Sequence, residues 1–172
     1  MPNTYKIISS NVLSTSAATV TFSAIPSTYT DLVMRWSVRT DYGATRTGFR
    51  IAANSITSGY SETYIIQYNS TVVGSGTYTG NAYFNGEYID GTGATANTFG
   101  SGELYLPSYT VSQNKPSSMV SLAEGNSTTD TGMYLKALLL SNTAAITSLT
   151  LTANTGNFVS GTSFYLYGIS NS

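Results

Sequence analysis

Asp31-Leu32-Val33-Met34-Arg35-Trp36-Ser37-Val38-Arg39-Thr40 sets the pattern from which the fold is read. Leu32, Met34, Trp36 and Val38 recur at every second position, with Asp31, Arg35, Ser37 and Arg39 between them. A period of two sends alternate side chains to opposite sides of an extended chain. One buried and one wetted side predicts an antiparallel strand in a layered sheet. The same alternation appears on both flanks: Val20 and Phe22, Phe49 and Ile51, Leu104 and Leu106, Leu149 and Leu151, Phe164 and Leu166. Tyr5–Ser9, Tyr64–Tyr68, Ser118–Ala123 and Met133–Ser141 read as further strands. Turn signals separate them, among them Asp41-Tyr42-Gly43, Asn85-Gly86, Asp90-Gly91-Thr92-Gly93 and Asn154-Thr155-Gly156-Asn157. About eight to ten short strands at this spacing predict an all-β chain, an antiparallel, jelly-roll-like β-sandwich.

Composition agrees. Apolar residues make up 41% of the 172 and charged residues only 9%, against roughly 25% in an average globular chain. Ser, Thr, Asn, Gly and Tyr take the place of charge, and these favour strands and the turns between them. A net charge of -1 with 14 tyrosines argues against disorder. One domain over residues 1–172 is expected. Residues 1–14 are read as a possible N-terminal arm that adds to a neighbour's sheet edge. Residues 70–101 are read as a long loop excursion with a short strand at Asn81–Tyr88.

Two strands depart from simple alternation. Met133–Leu140 is apolar on both faces, and Phe164–Ile169 nearly so. Strands apolar on both faces are covered on both faces. A long loop or a neighbouring subunit is expected to close the second one, making Tyr134, Leu138, Leu140, Tyr165 and Tyr167 candidate interface residues. Tyr60, Tyr78, Tyr83 and Tyr88 are candidates for exposed binding loops, since tyrosine buries much area at low entropic cost.

Catalytic chemistry finds little footing. Without histidine or cysteine, Ser-His-Asp, Cys-His and His/Cys zinc arrangements are ruled out. No phosphate-cradling or dinucleotide fingerprint occurs. Glu87 and Asp90 form a close acidic pair that reads as solvated turn residues rather than a glycosidase pair. Asp41, Asp90 and Asp130 lie in Gly-containing loops without calcium-loop spacing. No catalytic residue, cofactor or metal is expected. The scattered seven basic residues argue against nucleic acid. The longest apolar run, Ala137–Leu140, is far short of a membrane span, and the N-terminus has no secretion-signal pattern. The sequons Asn69-Ser70-Thr71 and Asn126-Ser127-Thr128 read as chance in so Ser/Thr-rich a chain.

Phe22-Ser23-Ala24-Ile25-Pro26-Ser27-Thr28-Tyr29-Thr30-Asp31-Leu32, with Ile146-Thr147-Ser148-Leu149-Thr150-Leu151, Gly156-Asn157-Phe158 and Gly161-Thr162-Ser163-Phe164-Tyr165-Leu166-Tyr167-Gly168-Ile169, resembles small β-rich virion structural proteins of tailed bacteriophages, cyanophages among them. The resemblance runs from about Phe22 to Ile169 and is poor over Ile51–Ala94. It implies a jelly-roll-like sandwich in the virion and carries over no catalytic residue. The expected function is a capsid decoration (cement) protein, a homotrimer on the head surface in contact with the major capsid protein, assembled in the host cytoplasm. The alternative is a tail or fibre receptor-binding module that grips host glycans through its Tyr-rich loops. A lectin unrelated to phage and a depolymerase rank below these.

Overall fold

The computed structural model describes residues 5–69, 72–126 and 130–170. These residues are all-β, with no helix among them. Twelve strands are seen, where about eight to ten were expected: β1 (Tyr5–Val12), β2 (Thr19–Phe22), β3 (Asp31–Val38), β4 (Arg46–Ala53), β5 (Tyr60–Tyr68), β6 (Val72–Asn81), β7 (Phe84–Asp90), β8 (Gly100–Leu106), β9 (Lys115–Ala123), β10 (Gly132–Leu140), β11 (Leu149–Ala153) and β12 (Ser163–Ile169). An eight-stranded sheet runs β1-β12-β3-β8-β9-β10-β5-β6, and a four-stranded sheet runs β2-β11-β4-β7. Every named strand pairing is antiparallel.

Along β3 the inward half of the expected alternation holds, while the other face is not simply wetted: Asp31 and Val33 are buried there too. Leu32, Met34, Trp36 and Val38 are buried in the core, and Arg35 is exposed on the other side. Leu104, Leu106, Met119, Leu138, Phe164 and Leu166 complete the larger sheet's inner face; Val20, Phe22, Phe49, Ile51, Leu149 and Leu151 face them from the smaller one. Phe49 is the hub, with ring centroids 5.3 Å from Trp36, 6.0 Å from Phe164 and 6.1 Å from Phe158, all edge-on. Two glycines make room for rings. A Cβ on Gly86 would lie 2.5 Å from the Phe49 ring, and one on Gly168 2.3 Å from the Tyr29 ring. Gly168 thus serves the close approach expected near the end of the last strand.

Two expectations need correction. Residues 70–101 are no loop excursion: β6 and β7 occupy most of the stretch and β8 begins at Gly100. Small residues in Val72–Asn81 hid a strand because its pairing with β5 comes from backbone bonds, and Gly74 and Gly76 lie under the side chains of Ile66 and Tyr64. Within the N-terminal arm, Tyr5–Val12 adds to an edge of its own chain's sheet, pairing with β12 from Tyr5↔Ile169 to Val12↔Ser163. Residues 1–4 of that arm, and parts of both sequons, lie outside the described residues.

Candidate functional site

The outer face of the eight-stranded sheet is the chain's most distinctive surface. It is built by the strand period: β10 directs Lys136, Leu138 and Leu140 inward, so Met133, Leu135 and Ala137 point outward. Leu135 pairs with Ile65 on β5 and with Val120 on β9, giving one aliphatic row across three strands. Met133 continues it next to Leu122. Exposure reaches 56% at Leu135, 55% at Ile65, 48% at Met133 and 39% at Val120. Exposed apolar side chains are ordinary when scattered singly; here four adjoin one another across three strands.

The same face changes character towards β1. Arg35 Nε donates to Glu103 Oε2 at 2.7 Å, and the guanidinium lies over the rings of Tyr5 and Tyr167 at 5.8 and 5.9 Å. A groove of about 350 Å³ between Arg35, Glu103, Val120 and Leu122 separates the charged, aromatic zone from the aliphatic one. Another, of about 490 Å³, runs past Tyr5, Glu103 and Tyr105. The sheet therefore offers aliphatic, aromatic and ion-paired ground side by side, the mixture found in protein–protein interfaces.

The candidate interface residues divide. Tyr165 and Tyr167 do lie on this outer face, half-buried. Leu138 and Leu140 are core residues, and Tyr134 is also on the inner side, 4.6 Å centroid to centroid from Tyr88. The signal that could have placed them is Lys136, which shares their parity. Its side chain is needed inside, so the outward face of β10 is Met133 and Leu135. That face is open on this chain, and no loop among the described residues closes it.

The inner side where β5 and β10 overhang β7 carries a buried ion pair. β7 is an edge strand of the smaller sheet, and its free backbone edge is buried against the larger sheet. Unpaired buried backbone groups are costly. Here side chains satisfy them. Lys136 Nζ donates to the Asn85 carbonyl at 3.0 Å and to Glu62 Oε1 at 3.3 Å; Glu62 accepts from the Asn85 backbone N–H at 3.4 Å and from Asn85 Nδ2 at 3.1 Å. Ser121 Oγ donates to the Glu87 carbonyl. Burial lowers Lys136 despite the opposing pull of Glu62 and Glu87. The pair is a clamp on a strand edge, and its geometry needs no substrate to explain it.

Glu87 is the strained member. Burial raises its carboxyl above the usual range; Lys136 pulls it down, Glu62 pushes it up and Arg46 pulls it down. A raised value means that the folded chain holds this proton more tightly than the unfolded one. Ionisation then costs stability above the unfolded value of 4.5, the cost growing until the pH passes the folded value. Glu87→Gln is expected to be more stable than wild type at about pH 7 and to gain less stability on acidification to about pH 5, as read by urea unfolding at each. Equal pH dependence in the two proteins would remove Glu87 as the source.

Glu87 and Asp90, the close acidic pair, have different neighbours. Asp90 is buried beside Arg39, and its Oδ2 has no hydrogen-bond partner among the described residues; burial raises its carboxyl. Arg39 itself is spent on the carbonyls of Ala94, Thr95 and Thr98, tying down the loop before β8. The calcium candidates are dispersed as well. Asp41 accepts from the Asn157 backbone at 2.7 Å, and Asp130 pairs with Arg46. No cluster of three or more acidic side chains able to hold a metal ion is found among the described residues.

Of the tyrosines expected on exposed loops, Tyr60 and Tyr88 are buried strand residues. Tyr60 sits in the core and its hydroxyl accepts from the Ala53 N–H at 2.9 Å; Tyr88 has Arg46 over its ring at 4.2 Å. Tyr60 was missed because the expected strand began at Tyr64, while Tyr88 ended the expected short strand Asn81–Tyr88 but was assigned to an exposed excursion rather than to a packed sheet. Tyr78 is 50% exposed and stacks on Tyr64 at 5.5 Å, and Tyr83 is half-buried at the β6–β7 turn.

No family model matches the chain, and no curated protein does. Among solved structures, galectin LEC-6 of Caenorhabditis elegans aligns over 94% of this chain and 96% of its own, with 7% identity and a TM-score of 0.36. The infectious bursal disease virus Gx strain structure aligns over 98% of this chain and 42% of its own, at 12% identity and a TM-score of 0.15. The VP2 subviral particle of that virus gives 95%, 42%, 12% and 0.13. The fold class rests on the chain's own topology: an antiparallel, jelly-roll-like β-sandwich.

Proposed function

We propose that this chain is a non-enzymatic structural protein of a phage particle, a homotrimer that decorates the head shell and docks through the outer face of the eight-stranded sheet. The observation that carries the reading is the open aliphatic row Ile65–Leu135–Val120 in a chain with only 9% charged residues. Low charge leaves little repulsion between crowded copies. The mechanism is mechanical. Each copy makes a modest contact, and many copies held on one shell act together, so that the shell resists internal pressure better than any single contact would allow.

Leu138→Glu is no probe of this surface, although Leu138 is one of the candidate interface residues. Leu138 is buried in the core, so that substitution reports on folding alone. Leu135→Glu with Val120→Lys is the informative variant. Shells lacking this protein, incubated with purified wild-type chain, are expected to retain it on sedimentation. The double variant should fold normally yet bind at least roughly tenfold more weakly, since burying even one large apolar side chain contributes about 1.5–3 kcal/mol. Undiminished binding by the variant, or immunogold labelling of intact virions confined to the tail, would overturn the proposal. The tail reading, with host glycans held by Tyr-rich loops, loses Tyr60 and Tyr88 to the interior but keeps Tyr78 and Tyr83.

A further inference from the structure

The smaller sheet's outer face bears a cleft unconnected with the docking reading, which concerns the other sheet. Strands β4 and β11 form its floor with Arg50, Ala52, Thr150 and Thr152. Its walls are two of the places where the chain crosses from one sheet to the other: the Ser55–Thr57 segment after β4, and Ala82–Tyr83 between β6 and β7. The volume is about 380 Å³, within the size range of small-ligand pockets.

Three features give it the character of a site. One wall is held rigidly. Asn54 and Ser55 both have positive φ, 51° and 56°, and Asn54 fixes this turn by accepting from the backbone of Thr147 and Ser148 while donating to the Ala145 carbonyl. Tyr60 donates to the Ile56 carbonyl from below. A left-handed serine is uncommon, and such conformations persist where their surroundings over-determine them. Second, among the described residues Arg50 is the only charged side chain lining the cleft. Its Nε donates to Asn154 Oδ1 at 3.2 Å and its guanidinium lies 4.8 Å from the Tyr83 ring centre. No described residue accepts a hydrogen bond from its two Nη groups, which leaves a planar two-pronged donor beside an aromatic ring. Third, Thr150 and Thr152 place hydroxyls on the floor, held in step with Thr21 and Thr19 at 3.3 Å in each pair.

We propose that this cleft binds a sugar ring bearing a carboxylate, such as a uronic acid unit of a polysaccharide. The Arg50 fork takes the carboxylate in bidentate fashion. The C–H face of the ring lies against Tyr83 and Ile56, and the threonines bond ring hydroxyls. A neutral sugar leaves the fork unused, and a simple inorganic anion leaves the apolar wall unused, so the combination selects for both.

Chemical-shift titration of the 15N-labelled full chain tests the site, with methyl glucuronide, methyl glucoside and inorganic phosphate as probes. Methyl glucuronide is expected to shift the amides of Ala52, Ser55–Thr57 and Thr150–Thr152 saturably. Methyl glucoside and phosphate should each bind roughly tenfold more weakly or worse, the scale of a lost charged hydrogen bond or apolar contact. Arg50→Lys, which keeps the charge but not the fork, and Tyr83→Ala should each weaken glucuronide binding while leaving the spectrum outside the cleft unchanged. Absence of saturable shifts, equal binding of glucoside or of phosphate, or an Arg50→Lys variant that binds as wild type would overturn the proposal. None of these results bears on shell binding through the other sheet.

Discussion

Lys136→Met is expected to destabilise the chain by about 3–5 kcal/mol, the usual cost of leaving one member of a buried ion pair without its partner. Lys136 is 0% and Glu62 1% exposed at the side chain. Removing the ammonium leaves the Glu62 carboxylate inside, deprives Glu87 of the cation that most favours its ionised form, and orphans the Asn85 carbonyl. A second variant separates two physical accounts. If the buried pair were only an ion pair, Lys136→Met combined with Glu62→Leu would restore wild-type stability or exceed it, since well-packed apolar replacements often do. If the pair is a clamp on the free edge of β7, the double variant stays below wild type by about 1–3 kcal/mol, because the Asn85 N–H and carbonyl are then both buried without a partner. Urea denaturation of wild type, the single variant and the double variant distinguishes the two. Full recovery in the double variant would refute the clamp.

What the sequence could disclose follows from which interactions leave a local trace. Alternation leaves one. β11 was legible because Leu149 and Leu151 are buried on one face with Thr150 and Thr152 on the other; in β3 and β12 the inward face was legible although Val33 and Ile169 are buried on the opposite one, and the reading of Leu32, Met34, Trp36 and Val38 as core is correct residue by residue. β6 leaves almost none. Its pairing to β5 is made by backbone groups common to all residues, while its glycines serve the rings and side chains above them. β10 was misassigned for a different reason. Its two faces are both apolar, so periodicity could not tell inside from outside, and the deciding residue, Lys136, is polar yet buried. The outer aliphatic row follows from that single inversion. The cleft around Arg50 was invisible for a third reason: its residues come from β4, β11 and two crossings far apart in sequence, and only the packing of those segments brings Arg50 beside Tyr83.

Phe49→Ala is expected to be the other severe substitution, costing about 3–5 kcal/mol. Phe49 is fully buried and its ring meets Trp36 from β3, Phe164 from β12 and Phe158 from the loop before β12. The neighbours cannot simply collapse into the space. Trp36 and Phe164 sit directly opposite each other in the β3–β12 register, and Phe158 is held by reciprocal backbone hydrogen bonds with Ala17. A cavity that cannot relax keeps its full penalty, whereas one that collapses loses part of it. Gly86 supplies the internal control. An added methyl there meets the Phe49 ring at 2.5 Å, so Gly86→Ala alone overpacks the site and should cost about 1–3 kcal/mol. Phe49→Leu alone should cost less than Phe49→Ala, because part of the volume is kept. In the Phe49→Leu, Gly86→Ala double variant the new methyl enters space that the ring has vacated, so the combined loss should fall below the sum of the two single losses by at least about 0.5 kcal/mol, the coupling expected of residues in contact. Strict additivity would mean that the two positions do not share one packing space, and a cost below about 1 kcal/mol for Phe49→Ala would mean that the core reorganises around the vacancy and that the ring cluster is not what joins the two sheets.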